Sequence, residues 1–327
     1  MIIMRIATAL SLTLGFLAAP LPVEAEQPTK IYKLGFLMGM DRQPAWTAAF
    51  EQGLETFGWS PGRNVEIEYR SAEGDFDRLP TICADLVGHG VDLILAVSAP
   101  ETAAAKRCTS TVPIVFAIHG DPVGTGDVES LAHPGGNATG MSQSQGELVS
   151  KLLDLLKKAV PSASRVAVLW NSTVRSKHRD WGEATAAAPK LGIALESYEV
   201  RAPANFGDAF SAISEHRPDA LLVFGDPMVV KHRAAITDFA AKERLPAMYP
   251  QRQFVDAGGL MSYSADLTEL FRLSSRIVDK TLKGANPADI PVEQPTKFEF
   301  VINMKTASAL GLTLPPALVQ LADELIE

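Results

Sequence analysis

From residue 31 onward, short β-branched runs alternate with amphipathic helical patterns, and the alternation runs through twice. Strand-like runs lie at 31–38, 65–69, 91–97 and 114–118, with helical patterns at 45–57, 79–87 and 101–108 between them. In the second of these helices Leu79, Ile82, Cys83, Leu86 and Val87 recur at i, i+3, i+4, i+7 and i+8, one face of a helix. The pattern then starts again. A helix at 148–159 leads to strands at 166–170, 193–200, 220–224 and 247–249, separated by helices at 177–191, 206–216 and 229–244. Pro113, Pro218 and Pro246 stand at helix-to-strand joints, where proline stops a helix and presets extended backbone. Such alternation builds parallel sheet covered by helices on both faces. The expected fold class is α/β, two doubly wound parallel-sheet lobes joined by hinge crossings.

The crossings are expected at 139–142, at 260–263 after the Gly258-Gly259 turn, and near 289–293. They divide the chain into a first lobe of residues 30–140 plus about 264–288, and a second lobe of 141–263 plus about 289–327.

The stretch HGDPVGTGDVESLAHPGGNATG, residues 119–140, ends the first array with six glycines and two prolines. A dinucleotide fingerprint is excluded, because Gly124-Thr125-Gly126 is followed by Asp127, Val128 and Glu129 with no third glycine. No Gly-Lys pair exists for a P-loop. The glycines suit a tight turn and a hinge. A net charge of −8 argues against a nucleic-acid partner, which needs a basic face to displace counterions.

Residues 1–25 read as a secretory signal peptide, with Arg5, an apolar core at 6–19, and Val23 and Ala25 before a cleavage point at Glu26. That core is shorter than the ~20 residues a spanning helix needs. The mature chain is expected to be exported, soluble and periplasmic.

The search for reaction chemistry finds little. His89, His119, His133, His178, His216 and His232 show no metal-ligand spacing, and neither G-x-S-x-G nor Cys-x-x-Cys occurs. No catalytic set, metal or cofactor is expected, and the protein is read as a non-enzyme. Cys83 and Cys108 both fall in helices of the first array, which opposes a cysteine pair facing across a cleft. In a sheet ordered 2-1-3-4, right-handed crossovers put their two helices on one face. A structural disulfide between Cys83 and Cys108 is the expectation, with two buried thiols as the competing view.

The chain resembles the substrate-binding proteins of ABC importers, in the group that includes tryptophan and tyrosine binders. The resemblance is carried by FEQGLETFGWSPGRNVEIEYRSAEGDFDRLP at 50–80, PIVFAIHGDPVGTGDVESLAHPGGNATG at 113–140, FVDAGGLMSYSAD at 254–266 and LKGANPADIPVEQPTKFEFVINMKTASALGLTLP at 282–315. It implies the type I periplasmic-binding fold and a monomer that hands a small-molecule ligand to an ABC permease and its ATPase. The alternative is a sensory receptor of the same fold, feeding a membrane kinase or chemoreceptor.

Open parallel sheets bind ligands outside the carboxyl ends of their strands, and two facing sheets make one cleft. The strand reading therefore names Asp41 and Trp46, then Ser98, Ala99 and Thr102, then His119 and Asp121 in the first lobe. It names Asn171, Asp226 and Tyr249 in the second, with Tyr263 at the second crossing. Ser98–Thr102 reads either as a helix N-terminus receiving a carboxylate or as a plain helix cap. Glu101 departs from the small residues usual in the family at that position, and an acid there opposes a ligand carboxylate. Asp121 and Asp226, each before proline at a strand end, are candidates for an ammonium group and equally for ordinary turns. Trp46 and Tyr263 are candidates to stack on a flat ligand. The expected solute is an amino acid or related carboxylate with an apolar or aromatic side chain.

Overall fold

The computed structural model describes residues 30–143 and 145–327; the expected signal peptide over 1–25 lies outside the described residues. The first array folds as β1 (Tyr32–Met38), α1 (Pro44–Thr56), β2 (Val65–Ser71), α2 (Leu79–Gly88), β3 (Leu93–Ala96), α3 (Ala99–Cys108), β4 (Ile114–His119) and β5 (Ala138–Ser142). These strands form one parallel sheet in the order β2-β1-β3-β4-β5, which contains the expected 2-1-3-4 arrangement. Every residue of β3 and β4 is buried, as a strand covered on both faces requires.

The second array runs α4 (Gln145–Ala159), β6 (Arg165–Trp170), α5 (Arg175–Ala187), β7 (Ala194–Glu199), α6 (Asn205–His216), β8 (Ala220–Val223), α7 (Pro227–Lys231), α8 (Arg233–Lys242), β9 (Ala247–Tyr249), α9 (Arg252–Asp256) and β10 (Met261–Ala265). The helix expected at 229–244 is two helices. Asp226 starts α7 by accepting from Met228 N–H, and His232, at φ −97° and ψ 14°, breaks the run before α8.

The remainder is α10 (Leu267–Leu282), β11 (Phe298–Asn303), α11 (Met304–Ala309), α12 (Pro316–Val319) and β12 (Glu324–Ile326). The second sheet has the order β12-β11-β10-β9-β8-β6-β7. It is not purely parallel, because β11 pairs antiparallel with β10. The physical reason is the route: the segment before β11 returns from the other sheet and enters from the opposite end.

Helix α10 belongs to the core of the first sheet. Leu270, Phe271, Ile277 and Val278 are fully buried there with Phe36, Phe50 and Leu54. Each such side chain contributes about 1.5–3 kcal/mol of burial. The Trp59 indole N–H donates to Asp279 Oδ1 at 2.8 Å, joining residues 220 positions apart.

Two crossing segments run side by side. Ser142 N–H donates to the Glu293 carbonyl at 2.8 Å, Glu293 N–H to the Gly140 carbonyl at 3.0 Å, and Thr139 Oγ1 to the Ile290 carbonyl at 2.6 Å. Gly140 also resolves part of the glycine pattern, since a Cβ there would collide with the Phe116 carbonyl on the neighbouring strand. The segment 260–263 stays in the second sheet as part of β10, and the chain leaves that sheet only between β10 and α10.

Helices α2 and α3 pack together on one face of the first sheet. Cys83 and Cys108 are neighbours there, and both are free thiols, so the expected bridge is not formed in this structure. Burial, then the adjacent Cys108, pushes the Cys83 thiol up to about 12. Among the described residues no helix is long and apolar enough to cross a membrane.

Candidate functional site

Loops after β1, β3 and β4 face loops after β6, β8 and β9 across a cleft of about 530 Å³. The volume suits a small organic molecule. One wall is apolar. Trp46 stacks on Phe271 at 5.2 Å between ring centroids and 15° between planes, and Phe36 lies parallel to Phe271 at 6.1 Å. All three line the cleft, Phe271 reaching it from α10.

Five of the expected residues line this cleft: Asp41, Trp46, Ser98, Ala99 and Asp226. The others are placed differently. Thr102 is buried beneath the first turn of α3, its hydroxyl donating to the Ser98 carbonyl at 2.8 Å. His119 is fully buried; its Nδ1 accepts from Asp121 N–H at 3.1 Å and its Nε2 lies 2.9 Å from Asp127 Oδ2. Asn171 sits behind Asp226, with Nδ2 donating to Asp226 Oδ1 at 3.3 Å. Tyr249 lies in the core of the second lobe, stacked on Phe254. Tyr263 stacks on Phe298 and borders a small gap that shares Gln143, Gly225 and Gln251 with the cleft.

Asp121 has a partner across the cleft, its Oδ1 lying 3.0 Å from Arg179 Nη1 on α5 while also accepting from Gly124 N–H. Arg179 is thus a competitor for the carboxylate expected to meet a ligand ammonium.

Burial and hydrogen bonding act on three carboxyls of the cleft. Burial pushes the Asp226 carboxyl above its ordinary value, against Met228 N–H, the Asn171 amide and the Lys177 charge. Its Oδ1 is bonded, whereas its Oδ2 is buried without a hydrogen-bond partner among the described residues. Burial likewise raises Glu101, although Ser98 and Gly39 donate to it. At Asp127 burial opposes ionisation, but His119, Thr125 and Lys106 together hold the carboxyl below its ordinary value. Lys177, on the cleft wall, is ion-paired with the buried Asp180 at 2.7 Å. Among the described residues no cluster of three or more His, Cys, Asp or Glu side chains is arranged to hold a metal ion.

Residues 41–326 match the family described as ABC transporter substrate binding protein. The chain belongs to this family. As a substrate-binding protein it is 27% identical over 263 residues to the Tyrosine-binding protein of Clostridioides difficile, covering 80% of this chain and 75% of that protein. It superimposes at a TM-score of 0.84 and 26% identity on a Streptococcus pneumonia ABC domain in complex with L-Trp, covering 91% of this chain and all of that one. A conserved domain protein from Vibrio cholerae matches at a TM-score of 0.83 and 26% identity, over 90% of this chain and all of that one. The two parallel-sheet lobes of this substrate-binding protein are those of the type I periplasmic-binding architecture.

Sequence reasoning missed Phe271, Lys177 and Arg233 as cleft residues of this substrate-binding protein. The apolar period of α10 signalled a buried helix but not which sheet it covers. Lys177 and Arg233 sit near helix starts, and nothing in their spacing marks the cleft.

Proposed function

We propose that this protein is the exported receptor of an ABC importer, capturing a small amine with an aromatic or apolar body in the interlobe cleft and delivering it to the membrane permease. The solute is an amino acid or a close chemical relative of one. The cleft supports this reading most directly through Asp226, a lining carboxyl with one buried, unpartnered oxygen among the described residues, in the same cleft as the aromatic wall of Phe36, Trp46 and Phe271. The names of the tyrosine-binding relative and of the tryptophan-bound structure favour the same chemical class. Asp41, Trp46, Ser98, Ala99 and Asp226 are the contact residues of this proposal, and Asn171 positions Asp226. The lobes are taken as 30–140 with about 264–288 and 141–263 with about 289–327, moving about the paired segments at 139–142 and 289–293 and the end of β10. A thermal-shift screen of amino acids, amines and sugars tests it. A true ligand at a hundredfold excess over Kd stabilises the chain by about 2.7 kcal/mol. A screen in which sugars stabilise and amines and amino acids are silent overturns the reading.

A further inference from the structure

The best anion receiver in the cleft is filled by the protein itself. Glu101, only 2% exposed, accepts from Gly39 N–H at 2.6 Å through Oε1, and from Ser98 N–H at 3.0 Å and Ser98 Oγ at 2.6 Å through Oε2. Gly39 and Ser98 follow the carboxyl ends of the neighbouring strands β1 and β3, the place where an open parallel sheet offers donors to a ligand's charged end. The seat is built for this occupant: a Cβ at residue 39 would fall 2.6 Å from Glu101 Oε1, and Ser98 and Glu101 form a capping box across the first turn of α3.

The opposite wall offers the reverse chemistry. Asp226 is 7% exposed, and among the described residues its Oδ2 has no hydrogen-bond partner. Among the described residues five carboxyl side chains line the cleft against two cations, Lys177 and Arg233. Lys177 is held by Asp180, and Arg233 donates to the Val230 carbonyl at 3.1 Å. A ligand ammonium fits Asp226; a ligand carboxylate meets an excess of carboxyl groups and finds the Gly39 and Ser98 donors already taken.

We propose that the solute is a cationic arylalkylamine lacking an α-carboxylate, and that Glu101 excludes α-amino acids by holding the donors their carboxylate would need. The amine end meets Asp226 and the ring meets Trp46 on the aromatic wall. This rests on the reading of the cleft as the solute site and narrows its substrate class.

Titration calorimetry on the purified chain with tryptamine, tyramine, L-tryptophan and L-tyrosine tests it. Each amine is expected to bind at least tenfold tighter than its parent amino acid. Glu101→Ala, which frees Gly39 N–H and Ser98, should tighten the amino acids at least tenfold and leave the amines within a few-fold. Glu101→Gln keeps the side-chain volume but turns an amide donor toward these donors, and should give a smaller gain. Asp226→Asn should weaken both amines at least tenfold. Amino acids binding the wild-type chain as tightly as the amines would overturn the exclusion by Glu101 while leaving the receptor reading intact. Silence of all four compounds would overturn both. The wild-type comparison decides even where a variant fails to fold.

Discussion

Arg179 on the second lobe and Asp121 on the first meet across the cleft, Nη1 to Oδ1, at 3.0 Å. The arginine side chain is 42% exposed and the aspartate 10%. An ion pair half in water holds weakly, about 0.2–1 kcal/mol, and is screened by salt. In this structure it ties the two lobes together across the opening.

Arg179→Ala therefore shifts the lobes toward a wider separation. Small-angle scattering should show a larger radius of gyration for the variant without ligand, and compaction to the wild-type value at saturation. Ligand affinity should fall about two- to fivefold, by the same amount in Asp121→Ala, and for an amine and its uncharged analogue alike. A loss confined to the amine in Asp121→Ala would return that carboxylate to ligand contact.

Asp226→Asn separates stability from binding. Burial raises the carboxyl of Asp226, so the folded chain holds that proton more tightly than the unfolded one. The stability this group contributes is fully present below the ordinary aspartate range and is lost as pH rises through the raised value. Asparagine removes the buried charge while keeping an oxygen for Met228 N–H. The variant should gain about 1 kcal/mol over wild type at neutral pH, the gap closing as pH falls into the acid range. Urea unfolding at a series of pH values measures it. Amine binding to wild type runs the other way, weakening as acid protonates Asp226.

Gly39→Ala attacks the seat of Glu101. The new Cβ would press on Glu101 Oε1 and on the Phe76 ring, both packed around that glycine. The expected loss is about 1–3 kcal/mol in denaturant unfolding. An unchanged midpoint would mean that Glu101 has room to move.

Mild oxidation should join Cys83 to Cys108 within one chain. The thiols are neighbours on packed helices, and the bridge would close a loop of about 25 residues, worth about 3 kcal/mol. Thiol titration of the unfolded, unreduced product should find none free, against two before oxidation. Ligand affinity should stay unchanged, because the pair packs in a cluster that excludes the aromatic wall of the cleft. Disulfide-linked dimers, or thiols that survive, would show that the sulfurs cannot meet.

The first sheet was legible because β1, β3 and β4 are short apolar runs separated by helices of regular period. Asp41, Ser98 and Asp226 followed from strand ends alone. What escaped depends on contacts remote in sequence. Asp121 and Asp226 look alike as Asp-Pro at a strand end, yet only Asp121 finds an arginine, carried by the other lobe. Tyr249 also ends a strand, but its ring turns inward onto Phe254. Tyr263 is held by its stacking on Phe298 of the antiparallel neighbour β11, a contact no local pattern announces. Local pattern cannot distinguish these outcomes, because each is decided by which surface a distant segment covers.

The link between Trp59 and Asp279 sets an order of events for the nascent chain. Residues up to the first crossing carry every strand of the first sheet, but α1 covers only part of one face, and α10, which completes that cover, arrives much later. An emerging chain leaves the rest of that face open through the synthesis of most of the second array. Closing a contact 220 residues apart is a non-local event, of the kind that makes folding slow. The half begun first thus waits for its cover until most of the chain has been made.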